Sequence, residues 1–361
     1  MDDITIILLK IAQSISLSST ADETVRREYN SLGELLSESD EFNHEVEIKP
    51  QGSFNLGTSI KPLNGSDDDF DVDLVVVLTN EKSAKSTKKS VGNVLEQSTR
   101  YHDKLESEKK RAWTITYANS HVDVVPAIKC DKSDIFITNR DNQGNYSYLP
   151  SSPFSFKEWF EERSAGIVQK IDKTRSTTGV KESIEQPDIF KERTILQQVV
   201  QLLKFHRNKM FENTDSELKP ISMILTVLAG SAYQQESDLT VALQNVVLNL
   251  RGQIKRDAFG DHILNPVDPS EDFADKWHEY PERKKAFYSW IYQVEKDFGH
   301  ILEITMIDFS KSLKPVFGEK RTIDVFNYLG EKRAKQQKKQ SVLNSINSEE
   351  QEINRHTFWG D

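Results

Sequence analysis

Two aspartates, Asp71 and Asp73, flank a valine in FDVDLVVVL, and a third, Asp123, lies in HVDVV. Side chains two apart along a β-strand point to the same face, so Asp71 and Asp73 project together as a pair of hard oxygen ligands. The run Leu74 to Leu78 is continuously apolar, as expected for a central strand covered on both faces, which would mount the carboxylates on a rigid element. If the HVDVV strand lies alongside, three carboxylates meet. Such a set can bind two Mg²⁺ ions, with Mn²⁺ as a substitute, and these cations complete their shells with water and substrate phosphates.

Upstream, QGSFNLGTS places Gly52 and Ser53 just after a predicted strand, with Gly57 and Thr58 continuing the turn. Glycine permits close backbone approach, and exposed N–H groups together with the Ser53 hydroxyl can cradle a phosphate. Each of these features is common alone. In this order and spacing they point to chemistry on phosphates. Asp67, Asp68 and Asp69 belong to the turn before the strand and read as a solvated acidic loop whose field would recruit cations.

Strands are expected at residues 45–51 and twice within AWTITYANSHVDVVPAIK, with Pro126 near the end of the second. Two helices open the chain, the second announced by TADE, where Thr20 can cap and Glu23 can close a capping box. SAKSTKKSVGNVLEQST reads as a further helix. Between Ile167 and Phe190 the composition turns polar, as in an exposed connector. Beyond it the patterning is helical. In TILQQVVQLLKFHRNKMF, Ile195, Val199, Leu202, Leu203 and His206 share one face and should be buried, which puts Lys204 on the opposite face. Asp268, Pro269 and Glu271 make a helix-start pattern. PERKKAFYSWIYQVEKDFGHILE is a long amphipathic helix with Phe287, Trp290, Ile291, Val294 and Phe298 inward. The polar segment from Glu331 to Asp361 is expected to be mobile. His206 reads as a packed core histidine and Tyr233 as either a base-stacking or a packed aromatic. His121 is expected to turn to the face opposite Asp123 and to be structural.

The chain has 361 residues, 36% hydrophobic and 29% charged, enough to build two lobes or one large domain. Its one cysteine, Cys130, excludes an internal disulfide framework or a thiolate zinc cluster and points to a reducing compartment, with the cytoplasm as default. The opening MDDITIILLK carries acid where a signal peptide needs base, and no stretch approaches a membrane span of about 20 apolar residues. A formal net charge of −10 argues against strong non-specific duplex binding.

Gly52-Ser53, Asp71-x-Asp73 and Asp123 resemble the active-site pattern of polymerase-beta-like nucleotidyltransferases. The fuller wording QGSFNLGT, DFDVDLVVVL, HVDVVPAI, QLLKFHRN and KPISMILT is similar to the bacterial CD-NTases, the cGAS/DncV-like enzymes of anti-phage CBASS systems. The resemblance implies an α+β fold with a nucleotidyltransferase core sheet, a C-terminal helical lobe and an active site in the cleft between them. It implies a catalytic core over residues 1–165, a helical lobe over 166–330 and a tail over 331–361. Asp71, Asp73 and Asp123 would then ligate the metals, with Asp123 receiving the proton of an attacking ribose hydroxyl. Gly52 and Ser53 would hold the donor triphosphate, joined by Lys204 and Ser222 from the helical lobe. The implied reaction turns NTPs, ATP among them, into a cyclic di- or trinucleotide second messenger. Alternatives are a template-independent synthetase of linear oligonucleotides and a silent nucleotide-binding protein. Regulatory or conjugating partner proteins, engaged through the tail, are expected; zinc, a membrane and direct activation by duplex DNA are not. Base preference, linkage and ring size stay open.

Overall fold

The apolar run that follows Asp73 lies inside a six-stranded sheet in the computed structural model, which describes residues 2–42, 46–66, 70–79, 83–131, 133–165, 184–187 and 193–353, with side chains as far as 343. The strands are β1 (Val46–Gln51), β2 (Phe70–Leu78), β3 (Trp113–Thr116), β4 (Ser120–Lys129), β5 (Ile135–Arg140) and β6 (Tyr146–Ser151). Among them lie helices α1 (Asp3–Ile15), α2 (Ser19–Ser37), the single turn α3 (Gly52–Asn55), α4 (Ala84–Gln97) and α5 (Pro153–Ser164). Six more follow: α6 (Ile195–Met210), α7 (Ser222–Ala232), α8 (Leu239–Asn249), α9 (Pro281–Phe298), α10 (Met306–Phe317) and α11 (Glu319–Ile353). A short hairpin of β7 (Lys255–Asp257) and β8 (Gly260–His262) stands between α8 and α9.

The sheet order is β1-β2-β4-β5-β6, with β3 pairing β4. β2 and β4 run parallel, a pairing that needs a crossover, and α4 lies within the connection. β3 pairs with β4 at His121 to Val124 and β5 with Ala127 to Lys129. Pro126, which has no N–H to give, falls at the handover. Strands β5 and β6 and helix α5 extend the part of the chain before residue 165 beyond the elements its sequence pattern suggests.

The period of two explains the two faces of β2. Val72, Leu74, Val76 and Leu78 join Ile48, Val122 and Val124 in a core with Val25, Tyr29, Leu32 and Leu36 of α2 and Val91 and Leu95 of α4. Val75 and Val77 instead pack with Val125, Ala127, Ile135 and Ile137. That second face begins with Asp71 and Asp73, so it changes from carboxylates to valines partway along the strand.

Several local expectations are corrected. The cap of α2 is Ser18, whose hydroxyl accepts from the Ala21 N–H at 3.1 Å, and Thr20 lies inside the helix. A capping box does form at α6, between Thr194 and Gln197. Asp268 starts no helix because its carboxylate is taken by the hydroxyls of Ser133, Ser152 and Ser270; α9 begins later, with Pro281 in its first turn and its five apolar residues buried as their spacing requires. From Glu331 to Ile353 the chain is part of α11, a helix the sequence reading did not draw, and its described side chains are mostly exposed. Asp67 to Asp69, most of the polar connector and the closing HTFWGD lie outside the described residues; Ile184 from that connector bridges Ile48 in parallel.

Contacts divide the chain into two compact units, Met1–Ser14 with Thr305–Asp361, and Ile15–Ile304. In the smaller one, Lys10 lies over the Tyr328 ring at 4.7 Å and Arg333 binds Asp3. The larger unit holds the whole sheet and α6 to α9. One described stretch, residues 3–37, is apolar and long enough to pass for a membrane span, but it consists of two helices parted near Leu17. Its Ile7, Leu8, Ile11, Val25, Leu32 and Leu36 are buried within the protein.

Leu74 is fully buried at the centre of β2. Leu74→Ala is expected to cost about 3 kcal/mol of stability through lost burial and the cavity left behind. The check is a lowered denaturant midpoint at unchanged m-value.

Candidate active site

Asp73 and Asp123 are direct partners across the parallel β2/β4 pair, and Asp71 partners His121. Asp71 is exposed, while Asp73, His121 and Asp123 are half-buried. All four share one face. This corrects the expected placement of His121: it lies two residues before Asp123, so the same period that aligns Asp71 with Asp73 aligns the histidine with the aspartate. Thr114, the β3 partner of Asp123, donates its hydroxyl to Asp123 Oδ1. Lys109 Nζ lies 3.8 Å from that oxygen and 3.3 Å from Glu106.

The Gly-Ser turn abuts these carboxylates. Gln51, the last residue of β1, pairs with Asp73, and the chain then enters α3 through Gly52 at φ +70°. A Cβ on Gly52 would stand 1.8 Å from Asp73 Oδ2, so only glycine fits between the turn and the carboxylate. The Ser53 hydroxyl lies 3.1 Å from the Ser59 hydroxyl, and the Thr58 N–H donates to the Ser53 carbonyl at 2.9 Å.

Lys204 does not sit on a solvated face. Helix α6 is covered nearly all round from Leu196 to Arg207, and Lys204 Nζ donates to the Thr58 carbonyl at 3.0 Å. Burial and the neighbouring Arg207 lower its pKa to about 7, against the pull of Asp73 and Asp71. The same surroundings raise Asp73 to about 7, through burial first and then the charges of Asp123 and Asp71, with Lys204 opposing. The structure therefore brings Gly52, Ser53, Asp71, Asp73, Asp123 and Lys204 together. Ser222 joins at one remove: its hydroxyl accepts from Arg207 Nη1 at 3.1 Å, and the same nitrogen donates to the Pro220 carbonyl at 2.8 Å.

Thr114, Ser59, Arg207 and Lys219 escaped the sequence reading. Lys219, three residues before Ser222, has its pKa lowered by partial desolvation and by Arg207, with Asp71 opposing. Gln197 and Gln201 were also missed, although polar residues at 197, 201 and 204 form a stripe on an otherwise apolar helix, a signal present in QQVVQLLK. His206 is the packed histidine its position suggests, between Asp297 at 2.9 Å and the Trp290 indole N–H at 3.1 Å. Tyr233 is packed: its side chain is buried and its hydroxyl donates to the Glu236 carbonyl at 2.9 Å.

Three carboxylates on one face suit a hard divalent cation, and His121 stands beside them as the cross-strand partner of Asp71. Among the described residues no three His, Cys, Asp or Glu side chains are grouped so that they could hold a metal ion, and Asp123 turns one oxygen to Thr114 and Lys109. The charge crowding that raises Asp73 is what a cation would relieve.

Residues 4–164 match the SMODS family, the Second Messenger Oligonucleotide or Dinucleotide Synthetase domain. A curated relative, the c-di-GMP synthase of Roseivirga ehrenbergii, is 29% identical over 324 residues, 86% of this chain and 83% of that one. Among solved structures, the CD-NTase CdnG of Bradyrhizobium diazoefficiens in complex with GTP superposes with a TM-score of 0.69 at 18% identity, covering 91% of this chain and all of that one. CdnC of E. coli MS115-1, solved as a HORMA complex, gives 0.58 at 16% identity, covering 86% of this chain and 96% of that one. At these identities the likeness establishes the fold, an α+β sheet followed by helices.

A carboxyl group with a pKa of about 7 holds a proton that a cation must displace. Mg²⁺ binding is expected to release a proton below that pH, and its apparent affinity to rise by up to about tenfold per pH unit there and level off above. Mg²⁺-induced thermal shifts measured across this range check it. A flat profile would mean that Asp73 is already ionised in the cation-free protein.

Proposed function

This chain belongs to the CD-NTase family, and from that premise we propose that it condenses NTPs into a cyclic dinucleotide second messenger. The observation that carries the reading is the in-register Asp73–Asp123 pair, with Asp71 on the same face and the Gly52–Ser53 turn against Asp73. A ribose hydroxyl of one nucleotide attacks the α-phosphorus of the other, the bond to pyrophosphate breaks, and the hydroxyl proton passes to Asp123. Thr114 and Lys109 lie beside Oδ1 of that residue and orient its carboxylate. Divalent cations held by Asp71, Asp73 and Asp123 would lower the pKa of the attacking hydroxyl and steady the triphosphate.

The Gly52 backbone and Ser53 hydroxyl hold the donor phosphates. Lys204 neutralises the charge that gathers on the departing pyrophosphate, and the Ser222 hydroxyl, backed by Arg207, contacts the same group. A buried lysine poised near neutrality gains its full charge when a triphosphate arrives beside it. The name of the Roseivirga relative and the GTP bound to CdnG support GTP as a substrate, alongside the ATP that the sequence resemblance suggests. The CdnC–HORMA complex supports a partner protein that regulates this chain, in keeping with a cytoplasmic role in CBASS defence.

Purified protein given all four NTPs with Mg²⁺ is expected to yield a phosphatase-resistant product whose mass identifies its bases. Omitting GTP should abolish or change it, and the Asp71→Ala/Asp73→Ala variant should make at least about a thousandfold less. A product that loses phosphate to the phosphatase would replace cyclisation with linear synthesis.

A further inference from the structure

The turn after Ser53 is held from behind by one helix face. Gln197 Nε2 donates to the Leu56 carbonyl at 2.9 Å, Gln201 Nε2 to the Ser59 carbonyl at 2.8 Å, and Lys204 Nζ to the Thr58 carbonyl at 3.0 Å. Positions 197, 201 and 204 follow one another along a helix face, and all three side chains are buried. The α1–α2 junction braces the same turn: Ser16 pairs with the Gln201 amide at 3.1 Å, and the Lys61 N–H donates to the Ile15 carbonyl at 2.7 Å. Ser59 is thus fixed through its backbone, and it is buried. Its hydroxyl faces that of Ser53 at 3.1 Å.

Each hydroxyl carries one hydrogen, so only one member of the pair can donate to the other. A Ser53 that donates to Ser59 has no hydrogen left for a ligand. If Ser59 donates, Ser53 accepts from behind and its own hydrogen is free to point at a phosphate oxygen. We propose that Ser59 is a positioning residue: held by Gln201, it donates to Ser53 Oγ and so directs the Ser53 hydrogen onto the donor phosphate. The proposal rests on the reading of Ser53 as a phosphate ligand. Ser59 itself touches no substrate.

The test is calorimetric binding of the non-cleavable α,β-methylene analogues of GTP and ATP in Mg²⁺, with melting temperature followed in parallel. Ser59→Ala keeps the backbone bond to Gln201 and removes only the hydroxyl; it is expected to weaken binding by about three- to tenfold. Ser59→Thr, which keeps the hydroxyl, should bind as the native protein does. Because Ser59 acts through Ser53, the Ser53→Ala/Ser59→Ala double variant should bind no more weakly than Ser53→Ala alone. Gln201→Leu, which loosens Ser59 by its backbone, should give a loss masked in the same way by Ser53→Ala. Unchanged binding in Ser59→Ala, or losses that add in full to that of Ser53→Ala, would overturn the proposal. Native-like binding by Ser53→Ala would instead overturn the phosphate reading of Ser53 on which it stands.

Discussion

Asp73 and Asp123 stand side by side because β2 and β4 run parallel and in register, and the repulsion between them organises the site. Neighbouring strands lie about 5 Å apart, so two carboxylates on one face cannot separate without breaking the register. Asp71 adds a third charge to the same face. Burial strengthens the repulsion, since less water screens it, and the result is a carboxyl group on Asp73 that holds its proton to about pH 7. Lys204, whose charge opposes that shift, has its own pKa lowered to about 7 by burial and by Arg207. Such a cluster costs the sheet stability, and a cation bound beside it would offset that cost.

The same crowding explains the backbone next door. Oδ2 of Asp73 occupies the space where any side chain at position 52 would begin, and the chain can pass only as glycine at positive φ. One residue thus serves both halves of the chemistry: it makes room for the carboxylate and opens the turn that carries the Ser53 hydroxyl. The rear of that turn belongs to α6, whose Gln197, Gln201 and Lys204 bind the carbonyls of Leu56, Ser59 and Thr58. The sheet and the following helices are therefore joined at the site itself, and the Gly-Ser turn takes its position from residues far along the chain.

Much of this was legible in the sequence. The period of two in FDVDLVVVL places both aspartates on one face and shows where that face turns apolar, and the helical period in α9 names its buried residues without exception. The misses share a cause. Ser18, Ser19 and Thr20 are all competent caps, and which one is used depends on how the chain arrives from α1. Asp268 is a good helix starter on paper, but Ser133 and Ser152 reach it from other elements first.

By itself, then, the amino-acid order determined which residue types recur at which period, and so the paired carboxylates on one strand face and the Gly-Ser turn before them. Lys204 and Ser222 were named only by the resemblance to CD-NTases. Only the tertiary structure decided that β4 lies in register beside β2, that Lys204 is buried rather than solvated, and that Ser59, Gln201 and Arg207 stand behind the residues the pattern had named. Register, burial and cross-chain hydrogen bonds depend on which elements meet, and no local repeat carries that information.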